Sequence, residues 1–275
     1  MPIDRTVAQH YARGDVAAAI LAALEAAGKD AQRLSLDDLA PVDEFHMRGR
    51  TATVELTGAL GLAPGMRVLD VGSGVGGPSR YVAATYHCDV VGIDLTEEYC
   101  RVARLLSERV GLGHRVEYRP GDALAMPFAD AAFDAAYTQH VAMNIEDKAR
   151  LYAEVARLLK PGARFGVYDV LQGEGGEVLY PVPWSRDGTT SFVVRPAELR
   201  ALLEAAGFEV VSSRDTAAGA RLWLEQMQAR MAEPNAPPSM LRLLFGDDAK
   251  AMVQNLARNL LEDRVVPTEV ICRKP

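Results

Sequence analysis

Cysteine is scarce. The 275 residues contain only Cys88, Cys100 and Cys272, whose spacing builds neither a disulfide framework nor a zinc site. They are read as packing thiols, and no His/Cys/carboxylate spacing elsewhere argues for a metal. Basic clusters are missing too. With a net charge of −7 and no concentrated run of lysine or arginine, the chain is not expected to bind nucleic acid. No apolar run is long enough to span a bilayer: the alanine-rich stretch from Val16 to Ala27 is short and interrupted by Glu25. Met1 to Arg5 lacks the basic-then-apolar pattern of a signal peptide, so a cytoplasmic protein with no membrane partner is expected. Internal repeats and low-complexity linkers are also absent. What remains is an ordinary globular composition, 49% hydrophobic and 24% charged, in a chain long enough for one large core with elaborations.

From Arg67 to about Arg214, short β-branched runs alternate with segments of helical period, the pattern of successive βαβ units around a parallel sheet. Strands are predicted at Arg67–Val71, Asp89–Ile93, Arg115–Tyr118, Phe133–Tyr137, Arg164–Asp169 and Phe208–Ser212, each apolar enough to be covered on both faces. Pro78 suits a first helical turn, Thr96 can cap a helix over Glu97–Val110, and Lys160-Pro161-Gly162 stops one over Asp147–Leu159. A further helix, Pro196–Ala206, ends at Gly207. The last strand, Arg264–Cys272, contains Pro267, which predicts an edge or a bulge, and a hairpin-like return with Phe208–Ser212 would give the sheet one antiparallel edge. The expected fold is therefore α/β, a doubly wound, Rossmann-like sheet of seven strands, mostly parallel. Residues 1–60 are expected to form a helical cap belonging to the substrate pocket. Residues 61–275 would be the ligand-binding domain, with a helical insertion at 217–263.

The strongest local signal is Val68-Leu69-Asp70-Val71-Gly72-Ser73-Gly74-Val75-Gly76-Gly77-Pro78, a buried strand running into a glycine-rich turn and a helix. Glycines let the backbone turn sharply and approach a ligand, and the helix start offers unpaired N–H groups. Gly72, Gly74 and Gly77 also fit the dinucleotide fingerprint, and Asp94 stands about 20 residues on, beside Leu95, where a carboxylate would bind ribose hydroxyls. A nicotinamide-dependent oxidoreductase is thus the rival reading. Two acids weigh against it. Asp70, inside the strand, would face a pyrophosphate unfavourably but suits a ligand carrying an ammonium and a sulfonium, as S-adenosylmethionine (SAM) does. Asp122, in Gly121-Asp122-Ala123, can accept from an adenine amino group while the backbone N–H of Ala123 serves a ring nitrogen.

The Asp-x-Gly-x-Gly-x-Gly pattern at Asp70–Gly76, then Asp94, then Gly121-Asp122-Ala123, then Arg157-Leu158-Leu159-Lys160-Pro161-Gly162 resembles the class I SAM-dependent methyltransferases. More narrowly it is similar to the branch holding the ubiquinone C-methyltransferases and the sarcosine/dimethylglycine N-methyltransferases. The resemblance runs from Val68 to about Gly207. It implies that Asp70, Gly72 and Gly74, with Ser73 between them, hold the methionine moiety, Asp94 and Leu95 the ribose, and Asp122 with Ala123 the adenine. It also implies that the backbone carbonyl of Gln139 meets the amino group, and that S-adenosylhomocysteine (SAH) is released.

Ligands of open α/β sheets lie beyond the carboxyl ends of the strands, which points to Tyr137–Asn144 after the fourth strand. His140 is the candidate general base there, or else a polar residue fixing the loop; the ubiquinone branch would show an acid near this point. His46, in the polar run Asp43–Thr51, either lines the site or caps the following helix. Tyr11, Asn144 and Trp184 are candidates for contact with the acceptor, with plain core packing as the alternative for the aromatics. The apolar spacing of Leu222-Trp223-Met227 and Met252-Leu256-Leu260 predicts helices that close over the strand ends, giving a small enclosed acceptor methylated at oxygen, nitrogen or activated carbon. A homodimer through those helices is the other use of the same faces. A SAM-binding protein without catalysis is a third reading with no positive sign.

Overall fold

A computed structural model describes His10, residues 15–231 and residues 240–275. Three helices come first: α1 (Val16–Ala26), α2 (Leu36–Asp43) and α3 (Arg50–Gly58). Asp15 starts α1 by accepting the Ala18 N–H at 3.1 Å, and Ser35 with Asp38 forms a reciprocal capping box on α2. Val16, Ile20 and Leu24 of α1 are buried against Tyr99, Val102 and Leu106 of a later helix.

The predicted alternation then follows as β1 (Arg67–Val71), α4 (Gly77–Tyr86), β2 (Asp89–Asp94), α5 (Glu97–Arg109), β3 (Val116–Pro120) and β4 (Phe133–Gln139). After β4 come a short 3-10 turn (Ala142–Asn144), α6 (Lys148–Leu158), β5 (Leu159–Gln172), α7 (Pro196–Ala205) and β6 (Glu209–Asp215). The chain ends with α8 (Ala217–Met231), α9 (Met240–Phe245), α10 (Asp248–Leu261) and β7 (Val265–Arg273). Thr96 stands at the start of α5 but makes no side-chain cap; its N–H instead donates to Asp94 Oδ1 at 2.8 Å.

The sheet has seven strands in the order β3-β2-β1-β4-β5-β7-β6. β1 to β5 pair in parallel and β7 is antiparallel to both neighbours. The strand order reverses between β1 and β4, so the carboxyl ends of these two strands flank the crevice where such folds take their ligands. β7 is not at the edge as Pro267 suggested. The Pro267 carbonyl accepts from Thr216 N–H at 2.9 Å, just past the end of β6, so the nitrogen on that same side has no strand opposite it and no ladder bond is lost. β6 is the true edge, and Glu209 and Val211–Asp215 are exposed on it, with only Val210 half-buried, contrary to the expectation of a strand covered on both faces. No helix among the described residues is long and apolar enough to cross a membrane.

Candidate functional site

Beyond the ends of β1, β2, β3 and β4 lies a cavity of about 450 Å³. It receives Asp70, Gly72, Ser73 and Gly74 from the first strand and turn, Asp94 and Leu95 from β2, and Asp122 and Ala123 from the loop after β3. Gln139, His140 and Asn144 reach it from β4 and the following loop, His46 from the N-terminal region and Trp184 from the loop after β5. All the sequence-predicted site residues therefore meet in one place, apart from Tyr11, which lies outside the described residues.

Asp70 is 2% exposed, and its Oδ2 accepts from Ser79 Oγ at 2.5 Å and from Tyr137 OH at 2.9 Å. Burial raises its carboxyl to about 7 in spite of those two bonds. Asp94 is also raised by burial; its Oδ2 accepts the Gly74 N–H and its Oδ1 the Thr96 N–H, both at 2.8 Å, so it ties the glycine turn to the end of β2. Asp122 Oδ1 accepts the Leu124 N–H at 2.8 Å. The Ser73 hydroxyl is buried and, among the described residues, has no hydrogen-bond partner.

The glycines divide into two kinds. Gly74, at φ 53°, has only the Phe45 ring 3.8 Å from where a Cβ would stand, so its face toward the cavity is open. Gly72, at φ 76°, is different: a Cβ there would meet the Val141 side chain. Packing within the fold thus requires part of the glycine richness that the sequence suggested a ligand would require.

His46 is 4% exposed, and its Nε2 donates to the Gly49 carbonyl at 3.0 Å, the residue that begins α3. It lines the cavity, and its bond to a carbonyl leaves the N–H groups at the start of α3 without a side-chain cap. The same nitrogen lies 3.1 Å from Thr53 Oγ1 and 3.1 Å from Gln139 Nε2. Burial lowers its imidazole to about 4. His140 directly follows β4 in the left-handed region, φ 55°, with its backbone N–H donating to the Tyr168 carbonyl at 2.8 Å. Its Nε2 is buried without a partner among the described residues, and burial, with His46 nearby, holds the imidazole well below its ordinary value. A strained non-glycine residue carrying an unpartnered polar group is the kind of local cost found at working sites.

Asn144 is committed differently from the expectation of acceptor contact: its Nδ2 donates to the carbonyls of Trp184 at 2.8 Å and Thr190 at 2.7 Å. It pins the loop that carries Trp184, whose own indole N–H donates to Ser191 Oγ at 2.9 Å. Of the apolar helix faces, Trp223, Met227 and Leu256 line the cavity, whereas Leu222 is 56% exposed and Met252 packs with α1 and α5. Phe45, the aromatic of the polar run Asp43–Thr51, also lines it, as do Met47 and Met143, which nothing local in the sequence distinguishes from core residues.

Electrostatically the cavity is one-sided. Its lining includes Asp70, Asp94 and Asp122, together with Asp43 and Glu44, which are paired with Arg80 and Arg50, and among the described lining residues there is no lysine or arginine. Such a site suits a cationic ligand and opposes a pyrophosphate.

Comparison with known proteins agrees with this chemistry. Residues 69–167 match the family described as "Methyltransferase domain". The fold is that of the class I SAM-dependent methyltransferases. The match covers the strands and turns that carry Asp70, Asp94, Asp122 and His140 in this methyltransferase fold. The 24-methylenesterol C-methyltransferase 2 of Arabidopsis thaliana is 33% identical over 200 residues, 66% of this chain and 48% of the relative. The sterol 24-C-methyltransferase of Yarrowia lipolytica is 35% identical over 167 residues, 58% of this chain and 43% of the relative. The chain spans about half the length of these curated relatives. The solved structure of the [4+2]-cyclase SpnF superposes with a TM-score of 0.73 at 24% identity, covering 100% of this chain and 97% of that one. The two curated relatives named are sterol C-methyltransferases rather than ubiquinone C-methyltransferases, so the resemblance holds at the level of the class.

Proposed function

We propose that the chain transfers a methyl group from SAM to a small molecule held in this cavity, releasing SAH. The observation that carries this reading is the acidic end of the cavity, with no lysine or arginine among its described lining residues. When bound, SAM supplies a methyl group made electrophilic by the sulfonium. Asp70, Gly72, Ser73 and Gly74 would hold the methionine portion together with the Gln139 carbonyl, Asp94 and Leu95 the ribose, and Asp122 with Ala123 the adenine. The unpartnered Ser73 hydroxyl and the open face of Gly74 support this assignment. His140, which follows β4 and lines the cavity, would take a proton from an acceptor. His46 positions the wall beside it. Asn144 and Trp184 shape the acceptor side, the first by holding the loop of the second.

The nicotinamide reading would put a pyrophosphate against Asp70 and Asp94 with no described cation to offset them. Calorimetric titration separates the two: SAH is expected to bind and NAD not to. Tighter binding of NAD than of SAH would overturn the assignment, as would failure to find any product heavier by one methylene in a mass-spectrometric screen with SAM and a broad set of small metabolites.

A further inference from the structure

Opposite the acidic end, the cavity wall changes character. Met47, Met143, Trp184, Trp223, Met227 and Leu256 face it from the N-terminal region, the loop after β4, the loop after β5, α8 and α10. All of them except Trp223, which packs against the same cluster while partly exposed, belong to one buried apolar cluster. The carboxylates of Glu146 and Asp147, which line the cavity just after Asn144, are exposed to solvent and stand outside this cluster, and the polar groups beside the cluster itself are few and occupied. The Asn144 amide and the Trp184 indole N–H are used within the fold; Lys148 Nζ is bonded to the Ile145 and Phe192 carbonyls, Arg186 of the Trp184 loop is paired with Asp248, and neither cation lines the cavity. A phosphate, a carboxylate or an ammonium brought here would lose its water with nothing in exchange, which costs several kcal/mol on transfer to an apolar site. The polar group left over is the imidazole of His140, without a partner at Nε2.

We propose that the acceptor is an uncharged, largely hydrocarbon alcohol or phenol, whose hydroxyl meets His140 and whose body fills the Met/Trp-lined chamber; this rests on the methyl-transfer reading above. An oxygen acceptor explains the imidazole better than an amine does. A neutral amine can be methylated and keep its proton, but an alkylated hydroxyl becomes strongly acidic and needs a base in contact. In the balanced step, an oxygen lone pair forms the new C–O bond to the methyl carbon as the C–S bond breaks. The C–S electron pair stays on sulfur, giving neutral SAH sulfur, and the hydroxyl proton passes to His140. A weak base suffices, because the proton is transferred only as the oxygen gains its positive charge. The strained backbone at His140 keeps the ring at the boundary between the acidic and apolar halves.

The chain's two tryptophans, Trp184 and Trp223, both line the chamber, so intrinsic fluorescence reports its occupancy. The SAH-saturated protein is titrated with para-cyclohexylphenol, its phosphate ester and para-cyclohexylbenzylamine, and methyl transfer from SAM to each is followed by mass spectrometry. The phenol is expected to bind at least about tenfold more tightly than either charged analogue and to give the methyl ether. His140→Gln is expected to abolish ether formation while leaving phenol and SAH binding within about twofold. Equal or tighter binding of the phosphate ester or the amine overturns the proposal, as does absence of phenol binding to a protein that binds SAH. Undiminished ether formation by His140→Gln overturns the role given to the imidazole. Failure to bind SAH at all would instead sink the methyl-transfer reading itself.

Discussion

A Cβ built on Gly72 would lie 2.2 Å from Cγ2 of Val141 and 2.9 Å from Cγ1, so the first turn of the glycine loop and the residue after His140 interlock. The contact ties the donor side of the crevice to the residue proposed as base. Gly72→Ala is expected to destabilise the protein by roughly 2–4 kcal/mol, the sum of overpacking and a positive φ. Adding Val141→Ala should recover part of that loss. Chemical denaturation of the two single variants and the double variant measures the coupling, and strict additivity would mean the two residues do not interlock.

Asp70 makes ligand affinity pH-dependent. Its carboxyl is raised by burial from 3.8 to about 7, so in this window the folded, ligand-free protein keeps a proton that the unfolded chain has lost. The stability contributed by that group is full below 3.8 and is lost as pH rises through about 7. The ammonium group of a bound SAH favours the ionised form. SAH affinity is therefore expected to rise with pH up to about 7 and then level, with proton release on binding below that point. Asp70→Asn should flatten the profile; calorimetry in buffers of different ionisation enthalpy detects the proton.

Asn144 holds the Trp184 loop by two hydrogen bonds to backbone carbonyls. Asn144→Leu should leave both carbonyls unpaired and cost about 1–3 kcal/mol of stability. Because that loop forms the acceptor side, the KM for the acceptor should rise by more than the Kd for SAH. An equal change in both constants would place the loop's influence on the donor side as well.

Arg80 and Asp43 form an ion pair at 2.8 Å with both side chains fully buried, joining α4 to the end of α2. Arg80→Met removes one partner and leaves a buried carboxylate, with an expected loss of about 3–5 kcal/mol. Replacing both, as Arg80→Met with Asp43→Leu, should restore much of the stability, since no unpaired charge remains. Urea unfolding midpoints test this, and a double variant less stable than the single one would show that the pair contributes more than mutual neutralisation.

Much of the frame was legible in the chain itself. The strand at 68–71, the turn after it, Asp94 and Asp122 each belong to a local strand-to-loop unit, and in a parallel sheet all such units put their loops at the same end. That is why residues far apart in sequence could be assigned to one cavity before any contact was known. The antiparallel return of β7 on β6 is expected from the sequence, but its place between β5 and β6 could not be read this way. Pro267 is harmless only because β6 stops at Asp215, and that depends on strands being aligned across long stretches of chain.

The same holds inside the site. Local pattern distinguished Gly72 and Gly74 as a turn, but only the tertiary structure decided that one is required by Val141 and the other faces the cavity. It also decided that the Asn144 amide serves a loop 40 residues later, and that Trp223 rather than Leu222 turns inward. Residue type and spacing determine which groups a segment can offer. Which of those groups remains available for a ligand depends on the neighbours that packing brings, and these come from distant parts of the chain.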